Sequence, residues 1–175
     1  IDFSTAFGPS GMEDEVSSLA MEDVKDICEV HDDTMRNTYM HFKQDKEHET
    51  TILLDAHADE VGFIVQAIKP NGTIRFLPLG GWDPKNIVSG EVWILNDKGE
   101  KISGIVASQP VHFLSEEKRN GKVDFDDLVI DVGATSVQEV KEEFHISVGN
   151  FMCPAVTCKY DEAHKIFLGK AFDCR

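Results

Sequence analysis

Hydrophobic and polar positions follow three patterns along this chain. From Met12, the apolar residues Val16, Leu19, Ala20, Val24 and Ile27 recur at helical spacing, with Glu13, Asp14 and Glu15 in the first turn, where the helix dipole favours acids. Ser10, followed three residues on by Glu13, has the form of a capping box. Gly8-Pro9-Ser10-Gly11 would stop a short helical stretch over residues 2–7. Glu29 to Arg36 and Thr38 to Phe42 read as a short hairpin, and Lys43 to Glu49 as a charged loop.

The second pattern is one apolar run, Ile52-Leu53-Leu54, bounded by polar residues, which predicts a buried strand of an α/β sheet. The third begins at Val61. Val61 to Ile68 and Thr73 to Leu79 flank Pro70-Asn71-Gly72, and Glu91 to Leu95 and Lys101 to Ala107 flank Asn96-Asp97-Lys98-Gly99, so two hairpins are expected. Gly80-Gly81-Trp82-Asp83-Pro84 marks a sharp break, and Ser115 to Lys122 a charged loop. Leu128 to Val132 reads as a strand, Ser136 to Phe144 as a short helix, and Ala155 to Tyr160 and Ile166 to Phe172 as further strands. Hairpins at such short intervals predict a small barrel or sandwich, inserted into an acidic α/β surround.

Chemistry concentrates at the end of the second pattern. Open α/β sheets place their ligands at the carboxyl ends of strands, and His57, Asp59 and Glu60 follow the apolar run directly. His57 can offer an imidazole nitrogen to a metal. Asp59, two residues on and on the same face of an extended chain, can accept the other ring N–H and fix the tautomer. A solvated turn would account for the same three residues. Leu168 to Arg175 repeats the theme, a strand ending in the carboxylate of Asp173, and a His and an Asp from two strand ends suit zinc or cobalt.

Composition narrows the field. The 175 residues carry a formal charge of −15, and residues 1–60 hold 16 acidic against 4 basic side chains. No basic stripe offers itself to a phosphate backbone, so a nucleic-acid partner is not expected. Solubility explains the acidity, and a field that gathers cations is the sharper alternative. No apolar run approaches the roughly 18 residues of a membrane span, and no basic region leading into an apolar one opens the chain, so neither a membrane nor a secretory signal is expected. Cys28, Cys153, Cys158 and Cys174 are irregularly spaced, which fits reduced thiols in a cytoplasmic protein better than a structural zinc site.

Other chemistries find little support. Ser10 lies in Gly-Pro-Ser-Gly, not in a nucleophile elbow, and phosphate-binding and dinucleotide fingerprints are absent. Asn71-Gly72-Thr73 is read as a turn rather than a glycosylation site, Gly80-Gly81 as a turn that re-aims a strand, Trp82 as core or interface, and His112 as a packed or loop histidine. Asp59 and Asp131 could flank a glycosidic bond, but nothing in the sequence brings them together.

Five segments, AFGPSGMEDEV, LLDAHADEVGF, FLPLGGWDP, DVGATS and GKAFDCR, occur in the order and approximate spacing of one family. The chain resembles the N-terminal half of the glutamyl and deblocking aminopeptidases, dinuclear metallopeptidases that build tetrahedral assemblies. The resemblance implies an α/β fold, part of a zinc-exopeptidase α/β/α domain interrupted by a β-barrel-like dimerisation domain. Residues 1–63 and 160–175 would form the first and residues 64–159 the second. It implies two divalent cations, zinc or cobalt, with His57 binding one of them, Asp59 supporting His57 from behind, and Asp173 bridging both. The activity implied is removal of N-terminal residues from peptides by a metal-activated water, in a homo-oligomer joined through the inserted domain.

Two positions depart from the family's usual pattern, Ala58 where Met is commoner and Cys174 where Asp or Asn follows the bridging aspartate. The family's general-base glutamate and further ligands belong to a second half that these residues do not contain, so the 175-residue chain alone is expected to be inactive and to bind metal weakly. The family also implies a cis Asp173-Cys174 bond in a complete site. A non-catalytic assembly fragment and a β-glucan hydrolase, a label some relatives have carried, are the alternative readings.

Overall fold

The fold is described from a computed structural model, which describes residues 1–42, 50–109, 111–113, 116 and 121–170. The charged loops read at Lys43 to Glu49 and, for most of its length, at Ser115 to Lys122 lie outside the described residues, as do Asp173 and Cys174. The chain divides into two compact units. One is discontinuous, residues 1–59 with 157–175, and the other is the continuous stretch 60–156.

The continuous unit is a closed six-stranded barrel. Its strands are β3 (Gly62–Ile68), β4 (Ile74–Leu79), β5 (Glu91–Leu95), β6 (Lys101–Ser108), β7 (Leu128–Asp131) and β8 (Phe151–Pro154), ordered β3-β4-β7-β6-β5-β8 around the wall. Neighbours pair antiparallel throughout. Closure removes the sheet edges that a sandwich would leave open. Alternate residues point inward, as a period of two requires. Phe63 and Val65, Ile74 and Phe76, Val92 and Ile94, Val106, Ile130 and Met152 are all buried in one core. Between Val65 and Ala67 the β3–β4 register shifts by a bulge, which helps a short sheet curve shut.

Turn chemistry sets the register. At the first hairpin Lys69 exchanges bonds with Gly72 and Thr73, 2.9 and 2.8 Å. Gly72 has φ 83°, and a Cβ there would stand 2.3 Å from the Ala134 carbonyl oxygen, so both backbone conformation and space demand glycine. At the second, buried Asn96 accepts from the N–H groups of Lys98 and Glu100 and donates to Glu100 and to the Phe144 carbonyl. Trp82 stacks on Phe63 with ring centroids 4.8 Å apart and donates its indole N–H to the Gly62 carbonyl at 3.0 Å, so it belongs to the core. Helix α3 (Val137–Glu142) starts at Ser136, whose hydroxyl accepts from Glu139 N–H, and buries Val140 in the same core.

In the discontinuous unit, α1 (Asp2–Thr5) and α2 (Asp14–Val24) precede the hairpin of β1 (Cys28–Asp32) and β2 (Thr38–Phe42). Val16 is buried, Leu19, Ala20 and Val24 half-buried on the same stripe, while Ile27 is exposed beyond the helix. β9 (Lys159–Asp161) pairs with β10 (Ile166–Leu168).

Three expectations are corrected here. Ile52, Leu53 and Leu54 are not a buried strand: residues 50–59 carry no ladder and the three side chains are 82%, 84% and 90% exposed. An apolar run specifies burial, but a strand forms only where a neighbour takes its backbone N–H and C=O groups. Ser10 does not cap α2. The cap position falls on Glu13, without a side-chain cap bond. Finally, the strand read at Ala155 to Tyr160 is displaced, with β8 ending at Pro154 and β9 beginning at Lys159. Pro154 sits at the strand end, where a residue without an N–H is tolerated.

Candidate functional site

The residues that could do chemistry lie in the discontinuous unit, on the extended segment after Leu54. His57 Nδ1 is 3.0 Å from Asp59 Oδ1 and 3.2 Å from the Asp59 carbonyl oxygen. Both partners are oxygen acceptors, so Nδ1 is the ring nitrogen that donates, and in the neutral imidazole that leaves the in-plane lone pair on Nε2. This is the arrangement in which a carboxylate fixes the tautomer of a ligating histidine and raises its basicity. The i, i+2 spacing in an extended chain is what brings the two side chains to one side.

Asp59 has a second partner. Its Oδ2 accepts a hydrogen bond from the Ser10 hydroxyl, 49 residues away in sequence. Ser10 follows a buried stretch, Ala6-Phe7-Gly8-Pro9, and the turn is closed by Met12 N–H donating to the Pro9 carbonyl at 2.8 Å. Glu13 Oε1 accepts from Gly11 N–H at 2.6 Å, which is where the acid of the supposed capping box goes. Behind this stretch, the buried Lys170 ammonium donates to the Ala6 carbonyl at 3.2 Å, and Cys158 N–H donates to Thr5 Oγ1 at 3.2 Å.

Of the predicted site residues, His57 and Asp59 are thus together, while Asp173, with the cis bond expected after it, lies outside the described residues. Among the described residues no three His, Cys, Asp or Glu side chains converge to hold a metal. The His57–Asp59 pair fits a metal site as one ligand with its support: an imidazole whose Nδ1 faces a carboxylate, and whose side chain is about half exposed. His112 is exposed in a short turn, as a loop histidine would be. Asp131 ends β7 and accepts from Gly133 N–H at 2.8 Å, and it falls in the other unit from Asp59. Cys28, Cys153 and Cys158 are buried. No described helix is long and apolar enough to cross a membrane. Sequence reasoning missed the role of Ser10, because its Ser-x-x-Glu spacing had a local explanation.

A closed six-stranded barrel inserted into the sequence of a discontinuous helix-and-strand unit, with a carboxylate-backed histidine on the latter, defines the class of an α/β scaffold interrupted by a β-barrel. The profile of the M42 glutamyl aminopeptidases matches residues 37–175, and the chain belongs to that family.

Among curated relatives, it is 38% identical over 119 residues to the putative aminopeptidase FrvX of Escherichia coli, covering 68% of this chain and 33% of that protein. It is 33% identical over 138 residues to the lysyl aminopeptidase of Pyrococcus furiosus, covering 77% of this chain and 39% of that one. The aligned stretches therefore span well under half the length of these relatives.

Among solved structures, the TET aminopeptidase of a marine sediment thaumarchaeon superposes with a TM-score of 0.84 at 34% identity, over 92% of this chain and 44% of that one. The TET1 peptidase of Pyrococcus horikoshii, described as assembling into a tetrahedron or a large octahedral shell, gives 0.77 at 27%, over 92% and 47%. A Thermotoga maritima protein described as an endoglucanase gives 0.78 at 26%, over 98% and 48%.

Proposed function

We propose that these residues are part of a metal-dependent aminopeptidase that removes N-terminal residues from peptides. The observation that carries the reading is the Asp59–His57 bond, which prepares Nε2 of His57 as a metal donor in a member of an aminopeptidase family. His57 would hold one divalent cation, zinc or cobalt, and Asp173 would be shared between two. When bound, such a pair supplies Lewis-acid polarisation of the scissile carbonyl and lowers the pKa of the attacking water. Asp59, bonded to Nδ1, would hold the ring in place. The remaining ligands and the general-base glutamate come from polypeptide beyond these 175 residues. Supporting this, the stretches that align with the two relatives above cover 33% and 39% of those proteins.

The barrel is the self-association unit in this reading, supported by the tetrahedral and octahedral assembly of the Pyrococcus horikoshii neighbour and by exposed Leu77 and Ile105 on the barrel wall. Residues 60–156 would be the dimerisation domain and the flanking segments the partial catalytic domain.

Chelator-sensitive release of N-terminal residues from short peptides, measured on the natural gene product that contains residues 1–175, tests the activity. The reading expects activity abolished by a chelator and by His57→Ala, with none from residues 1–175 alone. Equal activity in His57→Ala overturns the metal role, and robust chelator-sensitive release by residues 1–175 overturns the incompleteness. The likeness to the Thermotoga endoglucanase favours a second reading, β-glucan hydrolysis. Glucan turnover that survives the chelator, with no peptide turnover, would establish it.

A further inference from the structure

We propose that Ser10 is a positioning residue of this site: its hydroxyl holds Asp59 Oδ2, so that Oδ1 takes the Nδ1 proton of His57 and Nε2 becomes the donor atom. The inference rests on the reading of His57 as a metal ligand only for its functional meaning; the relay itself is a property of the chain.

Asp59 sits on a segment, residues 50–59, that has no ladder hydrogen bonds to hold it. A carboxylate there rotates about two side-chain torsions, and one bond to a neighbouring imidazole does not fix both oxygens. The Ser10 bond supplies the second point. It comes from the part of the unit that is itself anchored. Phe7 and Pro9 are buried, Pro9 has a fixed φ, and Lys170 and Cys158 tie the preceding turn from the other end of the chain. A hydroxyl donating to a carboxylate is a charge-assisted bond, stronger than a neutral one. It reaches from that turn to the side chain whose Oδ1 faces His57 Nδ1. The local alternative, a helix cap, is already excluded because the cap position belongs to Glu13.

Two readouts on residues 1–175 test the relay. In nitrogen-15 imidazole spectra at a pH where His57 is neutral, with the His57 signal assigned by its loss in His57→Gln, the native chain shows the Nδ1–H tautomer. Ser10→Ala shifts His57 toward the Nε2–H tautomer that free imidazole favours, and Ser10→Thr, which keeps the hydroxyl, restores the native signal. Titration with zinc alone then gives an affinity about 10-fold weaker in Ser10→Ala, at the lower end of what loss of an outer partner costs, and near native in Ser10→Thr.

An unchanged His57 tautomer in folded Ser10→Ala overturns the proposal. Should that variant not fold, Ser10→Cys, close in size and a poor donor, answers the same question. A tautomer shift accompanied by zinc binding that ignores both Ser10 and His57 upholds the relay and refutes the metal reading, so the two failures are told apart.

Discussion

The barrel and the segment that carries His57 are held by opposite means. In the barrel every strand has two neighbours, the inward residues of all six strands share one core, and the turns that set its register are satisfied by their own side chains. The segment 50–59 has no ladder and exposes its apolar run; near its end the Ser10 hydroxyl bonds Asp59, which in turn bonds His57 of the same segment. Closed hydrogen-bond ladders and a buried core make the first unit's geometry a property of its own sequence. The candidate site of the second unit is held by a few polar side-chain contacts, which are individually worth about 1–3 kcal/mol.

That contrast can be broken by substitution. Phe63→Ala removes a fully buried ring that touches Phe76 and Trp82, and should destabilise the barrel by about 3–5 kcal/mol in urea unfolding followed by Trp fluorescence. A loss below about 1 kcal/mol would show that the core is not packed as described. Gly72→Val places a Cβ against the Ala134 carbonyl at a positive φ, and should cost more than about 1 kcal/mol in the same assay.

Acid sharpens the comparison. The Ser147 hydroxyl, and after it the Asn150 amide, hold the Asp97 carboxyl below the ordinary aspartate value. A depressed folded pKa contributes stability above the unfolded value of about 3.9 and loses it as pH falls through the folded value. The barrel's thermal midpoint should therefore drop below about pH 4, with a smaller drop in Asp97→Asn. Equal acid sensitivity in both would remove Asp97 from the account. The smallest effect is expected at Leu53→Ala, within about 0.5 kcal/mol in residues 1–175, because that side chain stands in solvent.

Local signals made the barrel legible. Asn71-Gly72 and Asn96 to Gly99 mark the two hairpins because turn geometry is decided by the residues that form it. His57 and Asp59 were legible for the same reason, two residues apart on an extended chain. What could not be read depends on distance. Ile52-Leu53-Leu54 announces a need for burial without naming what would supply it. Ser10 bonds a residue 49 positions away, and its neighbour Glu13 offered a nearer explanation. β8 begins at Phe151 because two strands far apart in sequence, β3 and β5, leave one place in the wall.

The central claim is that His57 donates Nε2 to one member of a metal pair. Zinc K-edge absorption spectroscopy on the natural gene product, saturated with zinc, measures this most directly. The account predicts imidazole nitrogen scattering at about 2.0–2.1 Å and a second zinc at about 3.5–4 Å, with the imidazole contribution reduced in His57→Gln. A spectrum that His57→Gln leaves unchanged would contradict it.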